Sequence, residues 1–151
     1  MLDRRDFVIR LIEQFASFLA KTIARLAGLE FEAAKLDVEA AYSQYLGLSP
    51  DFHARMPVSL VIDLFRTDPS VFKEKCLIFA ELLNLETRVL EAAGEKEKSE
   101  DRRKKALQAY AVYLSEQSSP DSEIVERARL LFNGGRDLDL PEEIMRKLRQ
   151  L

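Results

Sequence analysis

Residues 5–27 carry neither glycine nor proline, and the first glycine after them is Gly28. Asp6, Arg10, Glu13, Gln14, Ser17, Lys21 and Arg25 recur every three or four places, so they form one narrow polar stripe on a helix. Most of the remaining surface of that helix is Phe, Ile, Leu, Val or Ala. A helix this apolar needs cover on several sides, and the pattern predicts that other helices pack around it.

The chain after it reads as more helices with short links. Gly28 is placed to supply the left-handed position that ends the first helix. A second helix over about 30–46 puts Phe31, Ala34, Val38, Ala41, Tyr42 and Tyr45 on one face and stops at Gly47 and Ser49-Pro50. So short a link predicts an antiparallel hairpin. Residues 48–56 read as a loop, and Pro57 opens a short third helix with Leu60, Val61, Leu64 and Phe65. Asp68-Pro69 reads as a cap followed by a first helical turn. A fourth helix then runs to Ala93, with Phe72, Cys76, Phe79, Leu83 and Leu90 on one face, and Gly94 closes it. The charged run 95–105 reads as a solvated turn plus an exposed helix start, with Ser99 as its cap. A fifth helix continues to about Gln117, a sixth follows Pro120 and ends at Asn133-Gly134-Gly135, and Pro141 starts a last one. No run alternates in the way a strand requires. The expectation is a single all-α domain of about seven helices in antiparallel hairpins.

Composition fits that expectation. Of 151 residues, 47% are apolar and 32% charged, as in soluble globular domains, and only five glycines and five prolines limit irregular structure. A net charge of −3 weighs against a dedicated nucleic-acid binder. The single cysteine, Cys76, has no internal disulfide partner and suits a reducing, cytoplasmic setting. No signal peptide is evident. Arg10, Glu13, Lys21 and Arg25 break the best membrane-span candidate.

Two segments echo each other. Ala41 to Leu46 and Ala109 to Leu114 share the pattern AYxxYL at an offset of 68 (109 − 41), while Ala27-Gly28 and Ala93-Gly94 match at 66 (94 − 28). The second turn therefore reads as two residues longer than the first. The offset of 68 is twice the 34-residue period of the tetratricopeptide repeat, TPR. Ala33 or Ala34, and Ala106, stand near the place where that repeat wants a small residue at its tight helix crossing, and Tyr110 follows Ala106 by four. The chain thus resembles a diverged, TPR-like right-handed helical array. The opening Arg5-Asp6-Phe7, Arg10 and Ile12-Glu13-Gln14-Phe15 is similar to the start of an uncharacterised bacterial family of TPR-like helical proteins, which commonly begins R-D-[YF], R, I-E-Q-[FL]. That resemblance implies an all-helical fold and a bacterial cytosolic setting, and it implies no activity.

Candidate sites have two readings each. Asp6, Arg10, Glu13 and Gln14 are neighbours on one helix face; they form either a salt-bridge stripe or a recognition pocket in which Arg10 holds a partner's carboxylate. Tyr42, Tyr45, Tyr110 and Tyr113 either line a peptide groove or pack the helix crossings. His53, the one histidine, reads as a surface loop residue, and it cannot build a His-based zinc site alone. Cys76 reads as a buried thiol. Arg102, Arg103, Lys104 and Lys105 read as a solvated helix start, with nucleic-acid binding through their phosphate-binding cluster as the minority view. No phosphate loop, nucleotide fingerprint, nucleophile elbow or metalloprotease helix is present, and no catalytic residue, metal ligand or cofactor is expected. The leading expectation is a non-catalytic module that binds another protein or itself. The alternatives are a nucleic-acid-linked regulator using the basic run, or a small-ligand binder or enzyme with an interhelical pocket.

Overall fold

The computed structural model describes residues 4–49, 51–119, 121–133 and 140–151. Among these the chain is all-α: α1 (Arg4–Ala27), α2 (Phe31–Leu46), α3 (Phe52–Arg55), α4 (Val58–Phe65), α5 (Phe72–Ala92), α6 (Lys96–Ser115), α7 (Ser122–Asn133) and α8 (Glu142–Arg149). A 3-10 turn, Pro69–Val71, leads into α5, with Pro69 in its first turn as the sequence suggests. The breaks expected at Pro50, Pro120 and Gly134-Gly135, and a first helix beginning at Asp3, lie outside the described residues.

The helix at the centre is α5, and not α1. Fourteen of the 21 residues of α5 are buried, including every residue from Ile78 to Thr87. A helix buried all round must be covered on all sides, and here α2 and α6 pack along it while α1 and α4 touch it over shorter stretches. Ile78, Phe79, Leu82 and Leu83 have no exposed surface, and burying each such side chain contributes about 1.5–3 kcal/mol. By contrast, Phe15 and Thr22 are the buried ones among the described residues of α1. Phe7, Ile9, Ile12 and Ile23 are 51%, 46%, 38% and 45% exposed. The apolar surface of α1 exceeds what α2 and α5 cover.

Both expected hairpins form, with turns of equal length. In the first, Gly28 N–H donates to Ala24 O, Leu29 N–H to Leu26 O and Glu30 N–H to Arg25 O, at 3.0, 3.1 and 2.9 Å. In the second, Ala93 N–H donates to Val89 O, Gly94 N–H to Glu91 O and Glu95 N–H to Leu90 O, at 3.0, 3.1 and 2.9 Å. Each partner pair is displaced by 65 residues (93 − 28, 94 − 29, 95 − 30), and both turns close with the paired bonds of a Schellman motif. The left-handed residue is therefore Leu29, φ 62°, in the first turn and Gly94, φ 77°, in the second. The Ala-Gly match was one residue out of register, and no residues are gained in the second turn.

With an offset of 65 the AYxxYL echo is displaced by three residues, close to one helical turn. The positions that correspond are Ala34 with Ser99, Ala41 with Ala106 and Tyr45 with Tyr110, and all six are buried. Small residues stand at both close crossings. Ser99 is thus not a cap. α6 begins at Lys96, and Ser99 Oγ donates to Thr87 O of α5 at 3.2 Å. The predicted loop 48–56 also contains a turn of helix, α3, which carries His53 into the interior.

Candidate functional site

Two carboxylates on α5 each take a tyrosine hydroxyl, one from α2 of the first hairpin and one from α6 of its own. Tyr42 Oη donates to Glu86 Oε1 at 3.0 Å, and Tyr110 Oη donates to Glu81 Oε2 at 3.0 Å. Glu86 also receives Arg102 Nε at 2.8 Å, and His53 Nε2 lies 3.2 Å from the same Oε1. The His53 ring stacks on Tyr42 with centroids 3.6 Å apart and planes 11° from parallel. His53 is 3% exposed, so its placement as a surface residue is overturned: aromatic stacking and a carboxylate hold it inside. Burial works to raise the pKa of Glu86, but the His53 hydrogen bond and charge, the Arg102 guanidinium and the Tyr42 hydroxyl outweigh it and hold the carboxyl below its usual range. Glu81 goes the other way: burial raises it, and Arg127, with Nη1 at 3.0 Å, the Tyr110 hydroxyl and Arg88 compensate only in part.

The basic run is likewise turned inward. Arg102 joins Glu86 and Asp101, Arg103 Nη2 donates to Glu91 Oε1 at 2.7 Å, and Lys105 Nζ donates to the carbonyls of His53 and Ala54, both at 2.8 Å. These three side chains fasten α6 to α5 and α3. Arg102, Arg103 and Lys105 are internal clamps, which corrects their reading as a solvated start.

Of the other predicted residues, Gln14 and Tyr45 come together and the rest do not. Arg10 and Glu13 are exposed on α1. Gln14 accepts a hydrogen bond from Tyr45 Oη on its backbone carbonyl at 3.3 Å. Tyr45 packs edge-on against Phe15, 5.4 Å between centroids, and shares with Gln14, Ser17, Lys21 and Asp37 an open cavity of about 440 Å³. Tyr42 and Tyr110 are buried in the crossings, at 1% and 0% exposure, and cannot line an open groove. Tyr113 is half-buried and lines a different cavity.

That cavity belongs to a feature the sequence reading missed. Lys73, Glu74, Leu77, Glu81, Asn84, Arg88 and Glu91 form one stripe along α5 at helical spacing, and three cavities lie in succession over it. The first, about 250 Å³, is walled by Val8 and Ile12 of α1 and by Tyr113 and Gln117. The second, about 60 Å³, is walled by Leu19 and Ile23 of α1 and Arg127 of α7. The third, about 180 Å³, lies between α5, Arg103 of α6 and Arg127, Leu130 and Leu131 of α7. From Glu74 to Glu91 the floor runs roughly 25 Å at the rise of an α-helix. The signal for it was present: Glu81, Asn84 and Arg88 recur at helical spacing inside an apolar helix.

The groove pairs an apolar wall with a floor rich in donors and charges, an arrangement suited to binding. Cys76 is buried beneath the surface and burial pushes its thiol up to about 12, so it is a packing group and not a nucleophile. Among the described residues no cluster of His, Cys, Asp and Glu could hold a metal ion, and no helix is long and apolar enough to cross a membrane. Comparison with protein-family models, curated proteins and solved structures returns no match.

Proposed function

We propose that the chain is a non-catalytic helical protein–protein interaction or assembly module, and that its binding face is the α1 side of the groove over α5. The observation that carries this reading is the apolar ridge of α1, where Ile9, Ile12 and Ile23 stand exposed beside a ready-made trough. Monomeric proteins seldom leave a contiguous apolar ridge in water without a partner for it. The TPR-like, right-handed arrangement belongs to the same proposal: it draws support from the repetition of one Schellman turn and the small residues at both crossings, although the 65-residue separation falls three short of two 34-residue periods. A bacterial cytoplasmic setting comes with the family resemblance of residues 5–15. The nucleic-acid alternative loses its motive, because Arg102, Arg103 and Lys105 are clamped to the protein's own groups.

The test is a comparison of two double variants, Ile12→Asp with Ile23→Asp, and Leu36→Asp with Leu60→Asp, the second pair being exposed sites off α1. Both should keep their helical circular dichroism. Only the first should lose a partner retained from native extract, or lose self-association seen by light scattering. A wild-type protein that stays monomeric at high concentration and retains nothing above background would overturn the proposal.

A further inference from the structure

We infer that the third cavity of the groove, between α5, α6 and α7, is a binding site for a small oxyanion, phosphate or carboxylate in chemistry. Three guanidiniums line it, those of Arg88, Arg103 and Arg127, together with Asn84 and Thr87, against one carboxylate, Glu91. The cations come from three different helices, so their convergence is a property of the fold and not of a charged run. Two of them are already paired, Arg127 with Glu81 at 3.0 Å and Glu123 at 3.6 Å, and Arg103 with Glu91 at 2.7 Å and Glu100 at 3.6 Å, so the charge left over for a ligand is that of Arg88. Among the described residues Arg88 makes no salt bridge of its own, although its charge acts on Glu81.

Arg103 supplies an independent observation. It is 93% buried (7% exposed), and its Nε–H has no hydrogen-bond acceptor; a carboxylate oxygen of Glu100 stands off at 3.6 Å. A buried charged donor left without an acceptor is costly, and native structures usually satisfy such a group with water, an ion or a ligand. Leu130 and Leu131 line one side of the cavity, which stays open to solvent. A volume of about 180 Å³ suits a small anion and not a nucleotide or a polypeptide segment. Guanidinium forks suit both tetrahedral and planar oxyanions, so the two chemistries must be separated by experiment. The inference stands apart from the interaction reading, because none of its residues lies on α1.

Thermal melts and NMR titrations with inorganic phosphate, succinate and, at matched ionic strength, chloride test it. Phosphate or succinate should raise Tm in a saturable way, whereas chloride should not. The Nε–H resonance of Arg103 should shift as it gains an acceptor. Arg88→Gln, at an exposed position that leaves the fold intact, should weaken binding roughly tenfold or more, because a charge-assisted bond is lost. Arg55→Gln, with the same charge change on α3, should bind like wild type. Phosphate binding alone, or succinate binding alone, identifies the chemistry. No saturable response to either anion, a response equal to that of chloride, or identical behaviour of the Arg88 and Arg55 variants would overturn the inference.

Discussion

Glu81 and Glu86 show how two like residues five places apart on one helix acquire opposite acid–base behaviour. Glu86 is held below its ordinary value of 4.5, burial being outweighed by His53, Arg102 and Tyr42. A depressed folded pKa gives stability that is present above the unfolded value and is lost as pH falls through the folded one. Glu81 is raised above 4.5, chiefly by burial, so its favourable contribution is full below that value and fades as pH rises through the folded pKa. Glu86→Gln should therefore destabilise at neutral pH by about 2–4 kcal/mol, since it strands Arg102 without its buried carboxylate, and the loss should shrink on acidification. Glu81→Gln should cost less at neutral pH and more, relative to wild type, in acid. Urea unfolding of both variants at neutral and acid pH checks the sign. Parallel curves for the two would show that the asymmetry is absent.

At the scale of elements, the helices were legible because glycine, proline and the 3.6-residue period mark them locally. Gly47 ends α2 in the left-handed region as its position suggested, and Pro69 starts the turn into α5. The register of the turns was not legible, because Ala27-Gly28 offered glycine one residue before the place where the chain turns left-handed. Leu29 occupies that conformation at φ 62° and is 73% exposed, so it has no packing to compensate the strain of a side chain there. Leu29→Gly should stabilise the protein by about 1 kcal/mol, and Gly94→Ala should destabilise it by a similar amount. Gly28→Ala tests the same point from the other side: its added Cβ would meet Ala24 O at 3.5 Å, Arg25 O at 3.6 Å and Glu30 Oε2 at 3.8 Å, all ordinary contacts, and φ there is not positive. It should be neutral or stabilising by about 0.4–1 kcal/mol. Differential scanning calorimetry of the three variants reads all of this. A Gly28→Ala loss as large as that of Gly94→Ala would restore the register read from the sequence.

The whole molecule turns on which helix lies at its centre, and no single helix carries that information. α1 is the more continuously apolar to the eye, whereas α5 contains Glu81, Asn84 and Glu86, residues that read as surface. Each of those three is buried because a neighbour supplies its partner: Tyr110 for Glu81 and Asn84, and Tyr42, His53 and Arg102 for Glu86. The partners lie 16 to 44 residues away in the chain, beyond the reach of any periodicity. The groove escaped notice for the same reason, since its walls come from α1, α6 and α7. Two alanine substitutions separate the two possible centres. Leu82→Ala, at a position with no exposed surface, should cost about 2–5 kcal/mol. Ile12→Ala, at 38% exposure, should cost less than about 1 kcal/mol in dilute solution. If α1 is the ridge that meets a second copy of the chain, the cost of Ile12→Ala must grow with protein concentration, because the wild type alone gains stability by mass action. Denaturation of both variants over a range of concentrations therefore reports on architecture and on assembly together. A large, concentration-independent loss for Ile12→Ala would return α1 to the core, and with it the apolar ridge on which the interaction reading rests would disappear.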